Sequence, residues 1–148
     1  MKNNCSTEKK YDLEERTYRF ARDVRLFVRM LAKTTANNED GKQLIRSSGS
    51  VGANYREANE ALSKKDCIMR MKISRKEAKE SIYWLRLILD TNNIRDKKGE
   101  GLLKEAGEIR KIMSAIILKL TNSKSQNPNS KATDRKSTRL NSSHRYVS

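Results

Sequence analysis

The chain has 148 residues, of which 35% are apolar and 34% charged, with a formal net charge of +15. That length and apolar content furnish the core of one domain and are small for a large mixed fold. The basic excess attracts polyanions such as RNA, DNA or an anionic membrane surface, and fits an ordinary solvated surface equally well.

The charge divides unevenly along the chain. Residues 1–120 hold 27 Lys+Arg against 17 Asp+Glu, whereas residues 121–148 hold 6 against 1. The single proline, Pro128, lies beyond every periodic segment, so long helices are allowed throughout the first 120 residues.

Residues 1–11 are polar and read as a flexible N-terminus; the bundle is expected over residues 12–120. In Asp12-Leu13-Glu14-Glu15 an aspartate N-cap is followed three residues later by glutamate, which predicts a helix start. Phe20, Val24, Phe27, Val28 and Leu31 then recur at helical spacing, with Arg22, Arg25, Arg29 and Lys33 on the opposite side.

A turn-like stretch from Thr34 to Asp40 leads to a second stripe of Leu44, Ser48, Val51, Tyr55, Ala58 and Leu62. The same segment carries Ser47, Ser48, Gly49, Ser50, Gly52 and Ala53. Each interior glycine costs a helix roughly 1 kcal/mol relative to alanine, so their presence predicts close approach by a neighbouring helix.

Ser63-Lys64-Lys65-Asp66 reads as another capping box, although one kinked helix across this point is the alternative. Ile68, Met71, Ala78, Ile82, Leu85 and Leu89 form the third stripe, and Arg75 interrupts it, so that it must snorkel or find a carboxylate. Asn92-Asn93 and Asp96 to Gly101 supply the last turn before Leu102, Ala106, Ile109, Met113, Ile116 and Leu120. Four stripes with short polar connections predict an all-α, up-and-down antiparallel four-helix bundle.

Beyond Thr121 only Ala132, Leu140, Tyr146 and Val147 are apolar, too few to offset the entropy of ordering, so residues 121–148 are expected to be a disordered tail. Its end, Ser137-Thr138-Arg139-Leu140-Asn141-Ser142-Ser143-His144, resembles translated adapter sequence.

The third segment is apolar on more than one side. Trp84 and Leu87 are expected to point largely away from the core, with Ile88 between the two faces and Tyr83 on a third side, so Tyr83, Trp84, Leu87 and Ile88 are read as an oligomer interface. A bundle in which this helix simply sits deepest is the alternative.

Chemistry is scarce. Glu57, Glu60, Glu77 and Glu80 invite a di-iron site, but a ferritin-like centre needs Glu-x-x-His twice, and His144 is the sole histidine. These glutamates read instead as partners for Arg56, Lys76 and Lys79. With no Ser-His or Cys-His pair and no phosphate-binding P-loop, neither an enzyme, a metal nor a cofactor is expected. Cys5 and Cys67 form no zinc motif and are read as reduced thiols of a cytoplasmic protein; no run of about 18 apolar residues predicts a membrane span.

Two blocks carry a family resemblance. Arg46-Ser47-Ser48-Gly49-Ser50-Val51-Gly52-Ala53-Asn54-Tyr55-Arg56-Glu57-Ala58 is followed by Ser63-Lys64-Lys65-Asp66 and Lys72-Ile73-Ser74-Arg75-Lys76-Glu77-Ala78-Lys79-Glu80-Ser81-Ile82-Tyr83-Trp84-Leu85. In order and separation these resemble the four-helix-bundle proteins encoded by intervening sequences of bacterial 23S rRNA genes, from about Tyr11 to Leu120. The chain departs at Ser74 and Arg75, where the family usually has small or apolar residues. The resemblance implies a ring-like homo-oligomer, commonly a pentamer. It also implies kinship with the accessory variability proteins of diversity-generating retroelements, which bind nucleic acid and a reverse transcriptase.

Two functions are therefore expected as alternatives. One is a basic oligomer that holds structured RNA or an RNA/DNA hybrid through phosphates, using Arg22, Arg25, Arg29 and Lys33 on one ridge and Lys65, Lys72, Lys76 and Lys79 on another. The other is a protein-interaction scaffold with no nucleic-acid ligand.

Overall fold

The periodic stripes become four helices in the computed structural model, which describes residues 10–125. They are α1 (Lys10–Arg29), α2 (Thr35–Asn59), α3 (Lys64–Thr91) and α4 (Lys97–Ser125), with no strand among the described residues. One compact unit ends at Ile117 and a second begins at Leu118. In the second, α4 continues to Ser125, with Leu118 exposed and Leu120 buried. The expected tail thus starts inside a helix. The rest of it, with the adapter-like stretch, lies outside the described residues, as do residues 1–9.

Cross-helix contacts set the direction of each helix in the first unit. Near the start of α1, Glu14 accepts hydrogen bonds from Arg56 and Asn59 at the end of α2. Ser47 meets Ser81, and Asn54 accepts from Arg70, so α2 and α3 also run antiparallel. Ser74 reaches Met113 while Leu89 packs over Gly99, which reverses α4 against α3. Consecutive helices therefore alternate in direction, as short connections require.

The helix ends differ from the sequence expectation in instructive ways. α1 begins at Lys10, two residues before the expected cap at Asp12. An acidic residue near a helix start suits the dipole whether it caps or sits in the first turn, so sequence alone does not separate the two. Thr34 caps α2 by accepting from the Asn37 amide, which places most of the expected 34–40 turn inside the helix. Ser63 caps α3 by accepting from the Asp66 amide, as predicted, and α2 and α3 are separate helices. Leu62, assigned to the second stripe, falls in the link between them and is 99% exposed. At the far end of α3, Asn93 takes a left-handed φ of 57° and Ile94 N–H donates to Leu89 O, a Schellman-type close. Asp96 then caps α4 by accepting from Gly99 N–H, so Gly99 and Gly101 belong to α4 rather than to the turn.

The core of the first unit is made by the predicted stripes: Phe20, Val24 and Phe27; Leu44, Val51, Tyr55 and Ala58; Met71, Ala78, Leu85 and Leu89; and Leu102, Ala106, Ile109 and Met113. Each large side chain fully buried here stabilises the fold by roughly 1.5–3 kcal/mol. Ile117 is buried in place of the expected Ile116. Cys67 is fully buried and disulfide-bonded, not the expected reduced thiol; Cys5 lies outside the described residues.

The small residues of α2 serve two neighbours at once. Toward α3, which approaches α2 most closely, the Ser47 and Ser81 hydroxyls lie 2.9 Å apart and Ser74 donates to Val51 O at 2.7 Å. Toward α1, a Cβ added at Gly52 would stand 3.0 Å from Thr17 Oγ1. The predicted close packing is therefore real and double-sided. Every buried serine hydroxyl in it has a partner, as burial of a polar group demands.

Candidate nucleic-acid interface

On α1 the expected basic ridge is only half available. Arg22 is ion-paired with its neighbour Asp23 at 3.0 Å. Arg25 donates to Ala21 O at 2.9 Å and to Ile45 O at 3.4 Å, lying over Gly49 of α2. Arg25 thus bridges to α2, whereas Arg22 stays exposed with its charge matched by the next residue. Arg29 and Lys33 form no ion pair among the described residues and flank a shallow cavity with Asn37, Asn38, Glu39 and Lys42.

The α3 ridge is more coherent. Lys65, Lys72, Lys76, Lys79 and Tyr83 follow one another at spacings of seven, four, three and four, so they keep to one outward line of the helix. Lys65, Lys72, Lys76 and Lys79 are all exposed and make no ion pair among the described residues. Lys72, Lys76 and Lys79 share a shallow cavity of about 520 Å³ with Arg75, Glu80, Tyr83 and Trp84, whereas Lys65 lies outside it, nearer the helix start.

Arg75 takes neither a carboxylate nor a buried position. It stands half-exposed at the flank of the cavity, three residues from Lys72 and four from Lys79, and adds a fourth cation to the patch. Sequence reading treated it as a flaw in the core stripe because the buried residue of that turn is the preceding one, Ser74. The one carboxylate at the rim is already engaged: Glu80 accepts from Arg46 at 3.0 Å. Glu77, largely buried, lies 3.4 Å from the same guanidinium. Arg46 on α2, and not Arg56, Lys76 or Lys79, is therefore the partner of these glutamates, because α2 packs along that flank of α3. Arg56 pairs with Glu14 instead.

Tyr83 and Trp84 complete the patch. Tyr83 is 58% exposed, Trp84 is half-buried, and their rings meet edge to face with centroids 4.9 Å apart. Leu87 is half-exposed on the next turn. Ile88, expected between the two faces and assigned to the interface, is fully buried within the chain, so it cannot contribute to one. The reason is the bearing of α3: Ser74, Ser81 and Leu85 set the core direction, and Ile88 falls on their side of the helix.

A larger cavity, about 680 Å³, lies between α1 and the start of α4 and is lined by Phe20, Leu26, Phe27 and Leu102 together with charges of both signs. Its central cation is satisfied. Arg16 donates to both carboxylate oxygens of Glu105 at 2.7 and 2.9 Å and to Glu108 at 2.7 Å. Hydrogen bonding to Glu105 pushes the Arg16 pKa upward, against a smaller opposing effect of burial. Lys97 and Lys98 also line it, but carboxylates of Glu15, Asp23 and Glu105 are interspersed with them, whereas the smaller α3 patch has one carboxylate among four cations.

A family model for the 23S rRNA-intervening sequence protein matches residues 9–115. The chain belongs to this family. A crystal structure of a protein with unknown function from the S23 ribosomal protein family of Bacteroides thetaiotaomicron is similar to it. That protein is 32% identical, the TM-score is 0.63, and the match covers 71% of this chain and 97% of that one. No curated protein matches. Ser74 is fully buried but its hydroxyl donates to Val51 O, so the polar residue costs the core little. No described helix is long and apolar enough to cross a membrane.

Proposed function

We propose that this chain is a non-enzymatic basic bundle that binds nucleic acid, structured RNA or an RNA/DNA hybrid, through phosphate contacts. In this reading it works in the cytoplasm as a ring-like homo-oligomer. The observation that carries the proposal is the row of unpaired cations on α3. A protein surface usually intersperses its charges, and here the nearest carboxylates, Glu77 and Glu80, are turned to Arg46 of another helix. What remains is a concentrated positive field with no ion-pair partner among the described residues, the footprint expected of a phosphate-binding face.

The test is filter binding of a structured RNA across a salt series. Each phosphate contact contributes roughly 0.7–0.9 to the slope of log K against log salt, so Lys72→Gln, Lys76→Gln and Lys79→Gln together should flatten it by about two to three. Arg25→Gln should leave the slope in place, since that side chain lies over α2 and donates to backbone carbonyls. An unchanged slope in the α3 variant would remove this surface from consideration.

A second reading, a protein-interaction scaffold with no nucleic-acid ligand, draws on exposed apolar side chains of α1: Leu26, 45% exposed, lines the larger cavity, and Met30, four residues on, is 78% exposed. It predicts an oligomer by light scattering that shows no RNA retention at physiological salt.

A further inference from the structure

The cation row on α3 ends at an aromatic pair, and that juxtaposition says more than charge alone. From Lys72 to Tyr83 the helix rises about 16 Å, a length that a few nucleotides span. Along it stand Lys72, Arg75, Lys76 and Lys79, and at its end Tyr83 exposes more than half of its surface while held edge to face by Trp84. A patch of lysines alone is indifferent to whether the backbone beside it is paired. Aromatic rings are not. In a duplex the base faces are covered by their neighbours, and the deep, narrow major groove of A-form RNA closes off their edges, so exposed rings find stacking partners only among unpaired bases.

Other occupants fit less well. A two-fold contact with a second copy through this face would set the same four cations against themselves, and a head-to-tail contact in a ring would set them against another copy of a chain with net charge +15; electrostatic complementarity favours neither. We propose, resting on the nucleic-acid reading above, that Tyr83 and Trp84 form a stacking site for an unpaired base next to the phosphate contacts of Lys72, Arg75, Lys76 and Lys79. The ligand class is thus single-stranded nucleic acid or an unpaired segment of a folded RNA. These two aromatics move from the oligomer interface to the ligand face.

Trp84 is the sole tryptophan of the chain, so its emission reports directly on the site. The full chain is titrated at low salt with oligouridylate, with an RNA duplex of equal length, with inorganic polyphosphate and with phosphatidylserine vesicles. The expected result is quenching by oligouridylate, and binding of polyphosphate without quenching. Tyr83→Ala should lower oligouridylate affinity roughly five- to hundredfold while leaving polyphosphate affinity unchanged. Tyr83→Phe, which keeps the ring, should restore it. Tyr83 is exposed, so neither change threatens the core, and circular dichroism verifies the fold. If oligouridylate and polyphosphate bind alike without quenching, the stacking site is overturned while the phosphate reading stands. If neither binds, the reading itself falls. Emission that responds only to vesicles, or only to protein concentration, overturns the proposal in favour of a lipid surface or a second copy.

Discussion

The carboxamides of Asn37 and Asn92 face each other as a reciprocal pair: each side-chain nitrogen donates to the other's oxygen, at 2.9 and 2.8 Å. Each nitrogen also holds a backbone carbonyl near a helix end, Asn37 that of Ala32 and Asn92 that of Ile88. One pair thus fastens the start of α2 to the end of α3. Removing one partner strands the other amide. Asn37→Ala or Asn92→Ala should each cost about 1–3 kcal/mol, and the double variant clearly less than their sum. Urea denaturation, with midpoints compared at constant slope, measures both.

Two helical glycines should respond oppositely to alanine. At Gly107 an added Cβ meets nothing within 4 Å, so Gly107→Ala should stabilise the chain by about 0.5–1 kcal/mol through helix propensity. At Gly52 the same Cβ comes within 3.0 Å of Thr17 Oγ1 and 3.6 Å of the Thr17 backbone, and Thr17 is itself fully buried. Gly52→Ala should therefore destabilise, by about 1–3 kcal/mol as overpacked sites do. Adding Thr17→Ala should recover part of that loss in thermal unfolding, because it removes the atom in the way.

Tyr55 gives the fold an alkaline limit. Burial raises its pKa above the ordinary 10.0, the negative charge of Glu14 adds to the rise, and a hydrogen bond with Asn59 opposes it. The folded state therefore holds the phenol proton more tightly than the unfolded chain does. The resulting stabilisation is fully present below about pH 10 and is lost as the pH climbs through the raised value. In unfolding curves taken from pH 8 to 11, wild type should lose stability in the upper part of the range more steeply than Tyr55→Phe. Identical profiles would count against the linkage.

The Arg16 clamp between α1 and α4 should be salt-sensitive. Its side chain is 36% exposed, so solvent screening limits its worth despite the bidentate geometry. Arg16→Gln should cost on the order of 1 kcal/mol at low salt and less at high salt. Arg16→Lys should fail to restore it fully, since an ammonium cannot match both oxygens of Glu105.

How much of this could be read from residues alone depended on distance along the chain. Stripes such as Phe20, Val24 and Phe27 are local and came through intact. Caps were less secure: Ser63 worked as predicted, while Asp12 and the 34–40 stretch did not, because a polar residue serves a first turn almost as well as a cap. The Lys72, Lys76 and Lys79 row was visible as periodicity. That Arg75 joins it, and that Tyr83 and Trp84 border the same cavity, depended on where Ser74 and Ser81 fix α3 against α2, which no single helix reveals. The Asn37–Asn92 pair had no sequence signal, since both residues sit in stretches that read as turns and are 55 positions apart.

The row on α3 has no joint in it. All of its cations and both of its rings hang from one uninterrupted helix, so the intervals between them are graduated by pitch alone and do not shift with any neighbouring loop. An arriving strand would meet a ruler already engraved, with little ordering left to do on the protein side, and the adjustment would fall to the strand.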